Sequence, residues 1–137
     1  TATLAGARIE AAGDAVSVFR EPGEARRSTP PPTDPSDRLP HGGRAFVWDG
    51  RYEITASEPG LTVRPLQGLA ARLPPAQRQV LKGFPAAARP SLPAIVDPDG
   101  AVSCPILAES NSVRVRCLVA DRFEAAIGLV DQEAATC

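Results

Sequence analysis

The stretch from Pro75 to Leu107 constrains the fold more than any other. Pro75-Ala-Gln-Arg-Gln-Val-Leu-Lys82 reads as a short basic helix that stops at Gly83-Phe84-Pro85. Arg89 follows, then the apolar run 92–96, the turn Asp97-Pro98-Asp99-Gly100, and a second run over 101–107. Pro suits a first helical turn and Gly a helix end. A helix of roughly eight to ten residues is not stable without tertiary contacts, and a lone hairpin is marginal too. Helix and hairpin must therefore pack on each other and on further chain. At about 100° per residue, Ala76, Val80 and Phe84 are expected to face inward, with Arg78 and Lys82 together on the opposite side. Neither cation has an acid nearby, so a solvated face and a phosphate-contacting face both remain open.

Upstream, residues 7–20 read as a β-hairpin. Gly13-Asp14 makes its turn, and Val16 and Val18 line one face that needs a partner. Residues 21–44 hold six prolines, with Pro30-Pro31-Pro32 at the centre, and read as a stiff loop or linker. Its Arg26-Arg27 pair fits either a solvated loop or a phosphate contact. Asp49-Gly50 signals a turn before a strand on which Tyr52, Ile54 and Ala56 alternate. Glu58-Pro59-Gly60 turns the chain into a partner strand over 61–66, with Leu61, Val63 and Pro65 on one side and Arg64 on the other. Trp48 fits a core cap better than a base-stacking residue. Residues 113–119 alternate again, with Arg114 and Arg116 outward. Residues 121–130 place Phe123, Ala126, Ile127 and Val130 at helix spacing, although Gly128 and the β-branched tail also allow a strand.

Of 137 residues, 43% are apolar and six are aromatic, so one modest core rests on aliphatic side chains. The net charge of −1 gives no bulk attraction to a polyanion, and any cationic site must be local. The cations are 14 Arg and one Lys. No apolar run reaches the ~18–20 residues of a membrane span, and residues 1–4 do not resemble a signal peptide. Cys104, Cys117 and Cys137 form no CxxC pair; reduced thiols are expected, with a Cys104–Cys117 disulfide as the alternative. His41, alone in a Gly-Gly loop, has no companions for a metal site. No catalytic residue and no metal ligand is identified.

The fragments Gly6-Ala-Arg-Ile9, Val18-Phe-Arg-Glu21, Trp48-Asp-Gly-Arg-Tyr52, Arg89 and Leu92-Pro-Ala-Ile-Val-Asp-Pro-Asp-Gly100 occur in an order that resembles the C-terminal region of tRNA(Ile)-lysidine synthetases, in their alphaproteobacterial form. The resemblance covers roughly residues 4–108. It implies a parent enzyme that uses ATP, with magnesium, to adenylate C2 of a wobble cytidine. Lysine then displaces AMP, so that the tRNA reads isoleucine. In that family catalysis belongs to an N-terminal Ser-Gly-Gly-x-Asp-Ser loop, which this chain lacks. The resemblance thus implies a cytoplasmic, non-catalytic tRNA-recognition region. Its partners would be tRNA(Ile) with a CAU anticodon and the catalytic domain of the same protein, and exposed sheet edges allow a homodimer.

For such a module the expected contacts are Arg64, Arg72, Arg78, Lys82 and Arg89, cations held at backbone spacing by a rigid scaffold. A structural or protein–protein module is the alternative. An independent enzyme is a weaker reading, since one His with no acid beside it makes a poor nucleophile–base pair. A secreted module would need a disulfide. The element order predicts an α+β fold of mixed short strands with one or two helices on one side. It divides into a hairpin appendage (1–20), a Pro-rich linker (21–44) and a recognition domain (45–137).

Overall fold

A computed structural model of the chain describes residues 2–4, 7–20, 38–126 and 128. The strands are β1 (Ala2–Leu4), β2 (Ala7–Ala12), β3 (Ala15–Arg20), β4 (Ala45–Trp48), β5 (Tyr52–Ala56), β6 (Thr62–Pro65), β7 (Pro93–Val96), β8 (Val102–Ser103) and β9 (Val113–Cys117). The helices are α1 (Pro75–Leu81) and α2 (Val119–Ala126), with short 3-10 turns at Ala70–Arg72 and Arg89–Ser91. The strands form three antiparallel sheets, ordered β1-β2-β3, β4-β5-β9 and β6-β7-β8. The α+β class read from the sequence is the one observed.

The N-terminal hairpin turns at Gly13, whose φ of 61° suits a residue without Cβ. It gains a third strand, β1, through the pairs Ala2↔Ile9 and Leu4↔Ala7. Val16 and Val18, expected to be covered, are 68% and 64% exposed. The sheet is tied to the body by an ion pair, Arg20 to Asp49, at 2.9 Å. The Arg26-Arg27 pair and Pro30–Pro32 lie outside the described residues. Residues 38–44, read as the end of the linker, join the folded body. Arg38 bridges Thr62, the Leu39 amide donates to the Leu61 carbonyl, and Leu39 is 2% exposed in the core. An isolated leucine among prolines gives no period to read, so its burial was not legible.

Asp49-Gly50 makes the predicted turn, both residues with positive φ, in a three-residue loop closed by the Arg51 amide donating to the Trp48 carbonyl at 3.2 Å. It pairs β4 with β5 from Trp48↔Tyr52 to Ala45↔Thr55. Strand β5 then pairs with β9, not with β6. The corner at Pro59-Gly60 hands the chain to a different sheet, which corrects the expected pairing of residues 52–56 with residues 61–66. Gly60 has a φ of 81°, and a Cβ there would lie 2.8 Å from the Pro98 ring. Trp48 stacks on Tyr52 with ring centroids 6.1 Å apart and packs against the core, as a cap.

The sheet β6-β7-β8 is the middle layer. Its register pairs Val63 with Ile95 and Arg64 with Ala94, and Val96 with Val102. Val63 and Ile95 face the β4-β5-β9 sheet and join Tyr52, Ile54, Ala56 and Val113 in one core. Ala94 and Val102 face the other way, into a second core with Leu66, Leu73, Leu81 and Leu92. That core is closed by residues 66–92, the crossover that carries α1. The hairpin turn at 97–100 is fixed by Asp97, whose Oδ1 accepts from the Ala101 amide.

The inner face of α1 differs from the one expected. Leu81 is 7% exposed and Val80 48%; Ala76 is exposed as well. Gln77 lies on the inner side, and its Oε1 accepts from the Cys104 amide at 2.8 Å. Seven residues give too few turns for periodicity to separate faces about 100° apart, and Leu81 has more apolar surface to bury than Val80. Helix α2 forms where the helix reading placed it, starting two residues earlier, with Phe123 exposed.

Leu81→Ala is expected to cost about 2–5 kcal/mol in urea unfolding, whereas Val80→Ala should change stability by no more than about 0.5 kcal/mol. Equal losses would restore the face first read from the sequence.

Cys104 and Cys117 are both free, the first buried and the second exposed. Burial pushes the Cys104 thiol above its ordinary value, and burial likewise raises Tyr52. Both raised groups bind protons more tightly folded than unfolded. Their stabilising effect is therefore intact below about pH 8.5, where the unfolded thiol begins to ionise, and is lost as pH rises through the folded values. Urea midpoints should fall from pH 8 to pH 10. In native protein, alkylation followed by peptide mapping should find Cys117 modified well before Cys104.

Candidate nucleic-acid interface

Residues 59–96 contain five cations and no Asp or Glu. The remaining ten cations face sixteen acids, so a segment of +5 sits in a chain whose other residues sum to −6. The five cations are Arg64, Arg72, Arg78, Lys82 and Arg89, the same residues singled out by type and position. The run of missing acids is a plain signal in the sequence, and it is stronger than the helical wheel that first pointed to Arg78 and Lys82.

The fold brings these residues to one side of the middle sheet. Arg64, on β6, points to the face that the crossover covers, since it pairs with Ala94 of the second core. It is half-buried. Arg72 ends a 3-10 turn and donates to the Gly100 carbonyl, which joins the crossover to the β7–β8 turn. Arg78 is exposed on α1, and its side chain makes no hydrogen bond or ion pair among the described residues. Lys82, one turn further, donates to Gln79 Oε1 at 3.1 Å on the helix surface. Arg89 folds back on the helix end. Its Nε donates to the Phe84 carbonyl at 2.8 Å and its Nη2 to the Lys82 carbonyl at 3.0 Å. That places a cation on the carbonyls left open where α1 stops, where the helix dipole favours positive charge.

Arg72 and Arg89 thus have a scaffold role as well as a charge. Each guanidinium has five N–H donors, and these bonds leave others for a ligand. Among the described residues, neither these two nor Arg78 or Lys82 is paired with a carboxylate. Carboxylate pairs among the described residues include Arg8 with Glu10, Arg20 and Arg51 with Asp49, and Arg116 with Glu53 and Asp121.

Two further cations were placed in the linker by the sequence reading. Arg38 and Arg44 line an open groove of about 690 Å³ together with His41 and Phe46. Because Arg38 bridges Thr62, and bridged residues share a face, Arg38 lies on the same side of the sheet as Arg64. Among the described residues neither Arg38 nor Arg44 has an acidic partner. No charge run marks these residues; only the bridge shows that Arg38 belongs with the others.

Among the described residues no group of three or more His, Cys, Asp or Glu side chains converges as a metal site would require. No helix among them is long and apolar enough to cross a membrane.

No family model matches the chain, and no solved structure matches it. It is 42% identical, over 142 aligned positions, to the tRNA(Ile)-lysidine synthase of Caulobacter vibrioides. The alignment covers 99% of this chain and extends the resemblance through residues 109–137, which carried none of the recognised fragments. It covers 33% of the relative, so the chain spans about a third of that protein's length. The cationic crossover therefore belongs to a chain that is homologous, over nearly all of its length, to the C-terminal region of a tRNA(Ile)-lysidine synthase.

Proposed function

We propose that this chain is the tRNA-holding region of a tRNA(Ile)-lysidine synthase and that it does no bond-making itself. The observation that carries the reading is the acid-free segment 59–96, with +5 in a chain of net −1 and no carboxylate bound to Arg72, Arg78, Lys82 or Arg89 among the described residues. ATP, magnesium and lysine would be handled by the catalytic domain of the same cytoplasmic protein, which carries the Ser-Gly-Gly-x-Asp-Ser loop missing here. The RNA partner is tRNA(Ile) with a CAU anticodon. The crossover neutralises a few phosphates and so sets the position of the tRNA. A weak patch suffices, because a tether to the catalytic domain turns low intrinsic affinity into high effective concentration.

A second reading, a structural or protein–protein module, is favoured by the exposed Val16 and Val18 of the N-terminal sheet. It predicts an apparent mass that rises with protein concentration and is indifferent to RNA.

Arg78 and Lys82 are the residues to change, because neither anchors the fold. Titrating the chain with an isoleucine tRNA transcript should give a dissociation constant on the order of 10⁻⁴–10⁻⁶ M, with a log–log salt slope of about −2 to −3 for three phosphate contacts. Arg78→Glu with Lys82→Glu should weaken binding and flatten the slope by about 1 per lost contact, with the urea midpoint unchanged. Arg116→Glu, at a site already neutralised, should leave the slope alone. A salt-independent wild-type titration would reject the reading.

A further inference from the structure

The N-terminal sheet meets the body of the chain at a cavity of about 260 Å³. Its walls include Phe19 near the end of β3, Arg51 just before β5 and Tyr52 at its start, Phe84 three residues past α1, and Ser91 just before β7. Phe19 and Phe84 are half-buried, so each turns part of a ring toward the space. The space is an open cleft with aromatic side chains in its walls, and it has room for a small planar group. It lies below the ~300–1,000 Å³ of pockets for drug-sized ligands, which suits one flat ring system.

The polar groups at the cavity fit the same occupant. Arg20 and Arg51 both line it, and both bind one carboxylate, Asp49, at 2.9 and 2.6 Å. Two guanidiniums against one carboxylate leave a surplus of one positive charge. Arg51 is held in place by a further bond to the Ser91 carbonyl at 2.8 Å. The cavity also adjoins the cationic crossover directly. Phe84 is the residue whose carbonyl Arg89 grips, and the same guanidinium binds the Lys82 carbonyl. Two cations available to phosphates are thus fixed within a few residues of an aromatic cavity wall.

We infer that this cavity receives a single unpaired nucleobase of the bound RNA. The strand would run over Lys82 and Arg89 and turn one base inward against Phe19 and Phe84. Guanidinium donors of Arg20 and Arg51 would meet the acceptors on the base edge. Unpaired RNA bases are commonly recognised by stacking on aromatic side chains and on arginine planes. The inference rests on the RNA-holding reading above and adds a preference for single-stranded RNA over duplex.

The test compares a short single-stranded RNA with a blunt duplex of the same sequence, each titrated with the 137-residue chain. Phe19 belongs to neither buried core, so it can be changed without opening one. Phe19→Leu keeps an apolar side chain and removes the ring; Phe19→Tyr keeps the ring. Phe19→Leu is expected to weaken single-strand binding by about 5- to 150-fold, the worth of one stacked base. Duplex affinity and the salt slope should stay as in the wild type, and Phe19→Tyr should bind like the wild type. The inference is overturned if Phe19→Leu leaves single-strand affinity unchanged or weakens the duplex by the same factor, or if Phe19→Tyr loses as much as Phe19→Leu. The two readings fail separately. Wild-type protein with no salt-dependent binding to either RNA removes the holding reading, and the cavity falls with it. Salt-dependent binding that ignores Phe19 removes the cavity alone.

Discussion

A sheet of three short strands is buried on both faces, and the rest of the chain is organised by that burial. Val63 and Ile95 point into one core and Ala94 and Val102 into the other. Strands of two to four residues cannot hold a sheet by their ladder bonds alone. They persist because both sides are covered, one by the β4-β5-β9 sheet and the other by the crossover of residues 66–92. The crossover in turn has no stable form of its own: seven residues of α1 and two 3-10 turns fold only against the leucines beneath them. Its charges are therefore held by the aliphatic core under them. No acidic partner in the crossover competes for the outward side chains.

Arg89 shows how scaffold and site share residues. Its guanidinium binds the Phe84 and Lys82 carbonyls where α1 ends. That bond pattern fixes the path of the chain through Gly83-Phe84-Pro85, and it fixes the spacing between the two cations. Arg72 ties its 3-10 turn to the β7–β8 turn through the Gly100 carbonyl. A lysine in place of Arg89 would supply charge without the fork that spans two acceptors. Lys82 and Arg78, by contrast, are placed only by the helix that carries them.

Much of this was legible in the sequence because it rests on local rules. Asp49-Gly50 specified its hairpin, Pro75 and Gly83 bracketed the helix, and the alternation at 52–56 and 113–117 marked half-buried strands. The five cations could be named because residue type and position along the chain are visible in the sequence itself. What failed needed three-dimensional pairing. Residues 61–66 pair with β7 because Pro59-Gly60 turns the chain out of one sheet into another, and nothing local distinguishes that corner from a hairpin. Leu39 and Arg38 were hidden in a proline-rich segment, and the inner face of α1 was set by Leu81 and Gln77 through contacts with residues far along the chain. The cavity between Phe19 and Phe84 joins positions with no shared period.

The account stands on where RNA touches the chain. The most direct measurement is the backbone amide NMR spectrum of the chain, recorded while an isoleucine tRNA transcript is added. The account predicts shifts and broadening concentrated at Arg72, Arg78, Lys82 and the segment from Phe84 to Arg89, with the strand around Arg116 unmoved. Changes centred on β9 and the outer face of β5, or a spectrum indifferent to the RNA, would contradict it.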